Sequence, residues 1–211
     1  MQLGTFDGQL NEIVQRWNLL RHPFYEAWVA GTLSTAELRD YAIQYAHVTA
    51  AIPTWLLATA AAHPQDRDAL GEHAREETEH VALWHAFAKA LGVGVAQIEH
   101  TPPNAATAKL LRDCQADALA GNGAATVWAL EVQSPAVSAE KLRGLALHYG
   151  MQADTGAEYF ALHAELDKQH ERQLREFMRA HDPSHAAAAA HVAENTTKRL
   201  WDLLTSVHAG A

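Results

Sequence analysis

One stretch near the C-terminus limits the possible folds more than any other. From roughly Gly156 to Ala180 no proline or glycine interrupts a helical pattern. Steps of three and four residues along it pick out Phe160, His163, Asp167, His170, Leu174 and Phe177. A stripe with that period is the face a helix turns toward a core. Its three middle positions carry ionisable side chains, with aromatic and aliphatic residues at both ends. A buried carboxylate without a partner is strongly unfavourable, so something must compensate it. A His–Asp–His hydrogen-bond ladder, or a stripe turned toward solvent, would do so without an ion. A cation held by His163, Asp167 and His170 compensates all three at once.

The rest of the chain fits a helical frame. Alanine, leucine, glutamate and glutamine dominate, valine–isoleucine runs are absent, and no alternating strand pattern persists. A first amphipathic segment carries Phe6, Leu10, Ile13, Val14 and Trp17, and a short one runs from His22 to Gly31. Ser34-Thr-Ala-Glu37 is a capping box that opens a long helix to about Ala62, with a kink expected at Pro53. Further helices are expected over about 66–91, 104–119, through Trp128 and Glu131 to a bend or end at Pro135, 141–149, 156–180 and 183–208. The expectation is all-α: one domain over residues 1–211, a bundle of seven or eight helices.

The helix over 66–91 repeats the pattern. Its stripe is Leu70, His73, Glu77, His80, Trp84, Phe87 and Leu91, polar in the middle and apolar at the ends. Glu77-Thr-Glu-His80 is a Glu-x-x-His unit, and Asp167-Lys-Gln-His170 is its aspartate counterpart. Residues three apart project from one helix face, so each pair can grip one ion. Two such units from two helices are what bundle proteins use for dinuclear iron or manganese. Glu131, alone in the apolar run Val127-Trp-Ala-Leu-Glu-Val, is either a partly exposed edge residue or the bridging carboxylate. Oxygen and nitrogen donors without thiolates suit iron or manganese better than structural zinc.

Charge and cysteine usage exclude other classes. The net charge is −9 and no basic run offers a phosphate surface, so nucleic acid is not an expected partner. The single cysteine, Cys114, cannot form an intramolecular bridge, which points to a reducing compartment. No basic segment followed by an apolar run marks a signal peptide, and no run of about 20 apolar residues marks a membrane span. A cytoplasmic location without membrane contact is the expectation. Cys114 as a nucleophile would leave the carboxylate and histidine stripes unexplained.

His163-x3-Asp167-x2-His170, preceded by a lone Glu131 and an earlier Glu/His helix, resembles the ligand signature of heme-oxygenase-like dinuclear metal oxidases. Within that group the chain is most similar to the family of the Chlamydia protein associating with death domains. The similar stretches are His22-Pro-Phe-Tyr25-Glu-Ala-Trp, Leu38-Arg-Asp-Tyr41, Leu83-Trp84 to Leu91-Gly-Val, Leu130-Glu131-Val-Gln-Ser-Pro135 through Glu140-Lys141-Leu-Arg-Gly144-Leu, and Tyr159-Phe-Ala-Leu-His163. The resemblance implies a heme-oxygenase-like fold of the TenA and PqqC kind, without heme. It implies two metal ions, Fe/Fe or Fe/Mn, with O2 and an external reductant as small-molecule partners, and a homodimer.

The implied activity is O2-dependent formation of 4-aminobenzoate, the folate precursor, in a single turnover. Tyr25 would be excised as the ring and Lys141 would supply the nitrogen. Tyr41 and Tyr159 would serve as radical relays, and Glu131, His163, Asp167 and His170 would hold metal with His80 and one glutamate. The family usually has Glu and His seven apart on the first ligand helix. Here His73 stands at that position; the paired glutamates then favour Glu76 as ligand, the three-residue spacing Glu77. An ordinary multi-turnover oxidase on the same fold, acting on an external small amino acid or fatty acid, is the alternative. By local pattern alone, Tyr25 reads as a packing aromatic and Lys141 as a solvated surface residue.

Overall fold

A computed structural model describes residues 5–180 and 183–208. Its α-helices are α1 (Phe6–Arg16), α2 (Pro23–Ala30), α3 (Thr35–Ala62), α4 (Arg67–Ala90), α5 (Val95–His100), α6 (Ala105–Asp117), α7 (Gly123–Glu131), α8 (Ser134–His148), α9 (Glu158–Ala180) and α10 (Pro183–Val207). Eight of them have nine residues or more. The structure is all-α, as the sequence predicts, with no strand among the described residues. No described helix is long and apolar enough to cross a membrane.

Helix ends follow local chemistry. Ser34 and Glu37 form the expected capping box, with the Ser34 N–H donating to Glu37 Oε2 at 2.8 Å and the Glu37 N–H to Ser34 Oγ at 3.2 Å. His22 caps α2. Its Nδ1 accepts from the Phe24 N–H at 3.0 Å, so Nε2 carries the proton and donates to Thr205 Oγ1 at 3.0 Å. Burial pushes the His22 imidazole down to about 4, so it stays neutral at pH 7 and fixes the first turn of the helix that carries Tyr25.

Two boundaries differ from the sequence expectation. Pro135 opens α8 instead of only ending the preceding helix, because a proline in the first turn needs no backbone hydrogen bond. Its helix therefore begins seven residues before Lys141 and places that residue mid-helix. The six-residue α5 follows Gly94 and was not anticipated, since six residues are too few to show a helical period. Gly121 forms the expected break before α7, with φ of 87° inside a π-type turn over Ala118–Asn122.

α4 packs along α3, and α9 lies against α8, α7 and α4. Trp28, Trp55, Trp84, Trp128, Tyr41, Phe24, Phe87 and Phe160 are fully buried between these helices. Burying such a side chain contributes about 1.5–3 kcal/mol. The buried face of α9 is Tyr159, Phe160, His163, Asp167, His170, Leu174, Phe177 and Met178, so its three ionisable residues lie inside the bundle.

Candidate metal centre

α4, α7 and α9 each contribute ionisable side chains to one buried region. His73, Glu77, Glu131 and His170 offer ligand atoms all within 4.8 Å of one another, and Glu77, His80 and His163 form a second such group. Glu77 belongs to both. His80 Nδ1 lies 2.8 Å from Glu77 Oε1, and His163 Nε2 lies 4.0 Å from the same oxygen. On the other side, His73 Nε2 lies 2.9 Å from Glu131 Oε1, with His170 Nδ1 at 3.9 Å. Asp167 joins from the next turn of α9, its Oδ1 3.8 Å from His170 Nδ1.

Outer hydrogen bonds aim the imidazoles. His163 Nδ1–H donates to the Tyr159 carbonyl at 2.7 Å, which leaves the Nε2 lone pair facing inward. His170 Nε2–H donates to Glu76 Oε2 at 2.8 Å, which leaves Nδ1 facing Glu131 and Asp167. Glu76 is half-buried and sits behind His170, outside both groups, whereas Glu77 is buried between them. The α4 stripe explains the difference: Glu77 continues the line of His73 and His80, and Glu76 stands one position off it.

Glu131 Oε2, His163 Nε2, His170 Nδ1 and both Asp167 oxygens are buried without a hydrogen-bond partner. Each unpartnered buried polar group costs about 1–3 kcal/mol, and five of them in one place require an explanation. Burial, reinforced by neighbouring glutamates, holds the Glu131 and Asp167 carboxyls well above their ordinary range. Burial pushes His163 down to about 4 and lowers His73 and His170. Burial alone would raise Glu77, but the His80 hydrogen bond and the facing histidines bring it below its ordinary value. This donor set of carboxylates and imidazoles without thiolates fits a hard-to-borderline cation.

A second buried feature centres on α8. Lys141 on α8 is only 5% exposed, and its amine donates to the Tyr41 hydroxyl at 2.5 Å. The rings of Phe160, Tyr41, Tyr25, Tyr45 and Trp28 surround that amine, with centroids 4.8–5.9 Å away. With no acid beside it, burial pushes the amine down to about 7. Burial also raises the Tyr25 phenol, against an opposing hydrogen bond from Tyr41. The free space between Tyr25, Tyr45, Leu130, Ser134 and Lys141 is about 20 Å³. The pocket thus joins Tyr25, Tyr41 and Lys141, while Tyr159 stacks on His163 at 3.9 Å, next to the acidic cluster.

The sequence reading gave no role to Tyr45 or to His73. Tyr45 is one helical turn from Tyr41 on α3, a spacing that could have revealed it. His73 lies on the same stripe as Glu77 and His80. A cavity of about 330 Å³ opens between α4 and α9, lined by Leu70, His73, Leu174 and Phe177 among others. Cys114 is buried near the Thr196 hydroxyl, and burial pushes its thiol up to about 12, so it offers no thiolate at neutral pH.

The family model described as "iron-containing redox enzyme" matches residues 39–202, a span holding every clustered acid and imidazole. The chain belongs to this family. It is 32% identical over 212 residues to the 4-aminobenzoate synthase of Chlamydia muridarum, covering 96% of this chain and 89% of that one. It is 31% identical over 230 residues to the 4-aminobenzoate synthase of Nitrosomonas europaea, covering 99% and 93%. The TenA homologue from P. horikoshii superposes with a TM-score of 0.79 at 16% identity, covering 97% of this chain and 98% of the other, a likeness of fold. The chain is therefore a redox enzyme with the heme-oxygenase-like fold, as its sequence resemblance implies.

Proposed function

We propose that this chain is an O2-dependent dinuclear oxidase that makes 4-aminobenzoate from its own Tyr25, with Lys141 as the amino donor, once per chain. The observation that carries the reading is the small pocket: an amine and a phenol share it, 5.3 Å from nitrogen to ring centroid, with about 20 Å³ to spare. That volume admits about one water, whereas a cavity that binds benzene is about 150 Å³. That space is too small for an external aromatic ring, which supports a ring and a nitrogen drawn from the protein itself. The relatives named 4-aminobenzoate synthase support the same product.

His73, Glu77, His80, Glu131, His163, Asp167 and His170 would hold two ions, Fe/Fe or Fe/Mn, in this reading. Bound there with an external reductant, the ions would supply O2 reduction and one-electron oxidation. Glu76 keeps His170 in the tautomer that presents Nδ1. Burial leaves about half of the Lys141 amine unprotonated at pH 7, with a lone pair available as a nucleophile. Aromatic walls limit the space beside the phenol and the amine to about one water.

Anaerobic loading with Fe(II), with and without Mn(II), followed by reductant and O2, tests the reading. The expected result is at most about one 4-aminobenzoate per chain, set by the single Tyr25, with mass lost from the Tyr25 peptide. Full product from a Tyr25→Phe variant would overturn it. The cavity beside His73 favours the second reading, an oxidase with an external small amino acid or fatty acid as substrate. Repeated turnovers with such a substrate would select that one.

A further inference from the structure

The reaction proposed above needs an electron to pass from Tyr25 to the acidic cluster. The rings at the cluster end are His163 and Tyr159, stacked at 3.9 Å with 20° between planes. At the pocket end, Tyr41 accepts the Lys141 hydrogen bond and Tyr45 lies 5.5 Å from Tyr41. The ring contacts of Tyr159 are with His163, Phe160 and Trp84. Among the ring contacts of the described residues, one oxidisable side chain meets both groups. Trp84 lies 4.9 Å from Tyr159, 4.9 Å from Tyr45 and 5.6 Å from Tyr41.

We propose that Trp84 is the relay residue that passes the electron from Tyr41 and Tyr45 to Tyr159 and the metal centre. The inference rests on the proposed function and adds a route to it. The indole is fully buried, and its N–H is committed to the Ala42 carbonyl at 2.8 Å. It therefore has no base to take its proton and passes charge without proton transfer. Its other aromatic neighbours, Phe87 and Phe160, are phenyl rings that resist oxidation, so the side branches are closed.

The proton takes a different path from the electron. When Tyr41 is oxidised by one electron, its hydroxyl proton passes to the lone pair of the neutral Lys141 amine, whose nitrogen is 2.5 Å from the hydroxyl oxygen and which turns from donor to acceptor in that step. Metal held by the α4, α7 and α9 side chains and oxidised by O2 would take up that electron. Tyr41 is left as a neutral phenoxyl, which regains a hydrogen atom from the Tyr25 hydroxyl and hands the radical to Tyr25.

Trp84→Phe and Trp84→Tyr test the relay together. Both remove the indole, so both disturb packing, but only the tyrosine remains oxidisable. Fe(II)-loaded protein carrying ring-deuterated tyrosine is mixed with O2 and sampled by freeze-quench EPR, with metal content and metal oxidation rate followed separately. In Trp84→Phe the tyrosyl radical should appear about tenfold more slowly or worse, about 1.4 kcal/mol of barrier, with metal oxidation unchanged. Trp84→Tyr should stay within about threefold of wild type, less than that barrier. Equal rates in the two variants and wild type, or equal slowing in both variants, overturn the relay. Tyr159→Phe, which deletes one hydroxyl, should slow the radical as Trp84→Phe does; a wild-type rate there also overturns the route. Wild-type protein that makes 4-aminobenzoate while Trp84→Phe keeps its rate sinks the relay alone. Wild-type protein with neither radical nor product sinks the proposed function as well.

Discussion

Replacing Lys141 with methionine separates the cost of burying the amine from its chemistry. The side chain is 5% exposed, its amine bonds to Tyr41, and burial is the only influence that moves it, down to about 7 from 10.5. In the unfolded chain the amine recovers its ordinary value. Between pH 7 and 10.5 the unfolded chain thus holds one more proton than the folded protein, and stability rises with pH across that window. The limiting slope is about 1.4 kcal/mol per pH unit. Below about 7 both states are protonated, and the folded state carries the whole penalty, about 5 kcal/mol. Lys141→Met removes this titration at similar volume and loses one hydrogen bond, about 1 kcal/mol. The variant should match wild type within about 1 kcal/mol near pH 10 and exceed it by about 3–4 kcal/mol near pH 6. Urea midpoints of the metal-free proteins at equal m-value give the difference, in which the other titrating groups cancel. A difference that stays constant over that range would show that Lys141 is an ordinary cation, and the nucleophilic role argued for it would fall.

Other residues carry sharp expectations of their own. Glu77→Gln should lose most bound metal, whereas Glu76→Gln, behind His170, should keep it with affinity about 10–100-fold weaker; metal analysis after Fe(II) loading decides, and equal loss in the two would contradict the proposal that Glu77 is a ligand and Glu76 is not. Burial keeps the Glu131 and Asp167 carboxyls protonated well above their ordinary range, so ions binding there must displace protons. Calorimetry in buffers of different ionisation enthalpy should show about one or two protons released per chain near pH 7, and none released would refute this protonation state. A Cβ at Gly144 would lie 2.6 Å from Trp28 Cδ1, so Gly144→Ala should force α2 from α8 and cost about 1–3 kcal/mol. An unchanged urea midpoint would show that this contact yields without strain.

The fold was legible because helix period and apolar pattern agree along most of the chain. On α9 the buried face is the predicted stripe, extended by Tyr159 and Met178. The clustered acids were legible for the same reason: Asp167 and Glu131 interrupt apolar faces with groups that need compensation. Lys141 was not, because Ser-Ala-Glu-Lys-Leu-Arg looks solvated when read locally. Its burial shows only when α8 is begun at Ser134, since Val137, Lys141, Gly144 and Leu145 then fall on one inward stripe. The expected helix start near Lys141 hid that stripe. The approach of Tyr25 to Lys141 joins residues far apart in sequence, and no periodicity encodes such a contact.

The core holds a buried amine and three buried carboxyl groups that do not pair with each other. Lys141 gives its hydrogen bond to a tyrosine, while Glu77, Glu131 and Asp167 face histidines. Had the amine met one of these acids, the pair would have neutralised both: the lysine would stay cationic and the acid would lose its place in a metal site. The amine is surrounded by rings instead. Phe160 stands 4.8 Å from the amine, and Tyr159 and Trp84 continue the layer to His163. Stability would improve if this polarity were replaced by apolar packing, so the arrangement is explained by reactivity. The aromatic walls that surround the amine also include Trp84's neighbours Tyr41, Tyr45 and Phe160, so the residues that keep the amine from an acid adjoin the route proposed for the electron.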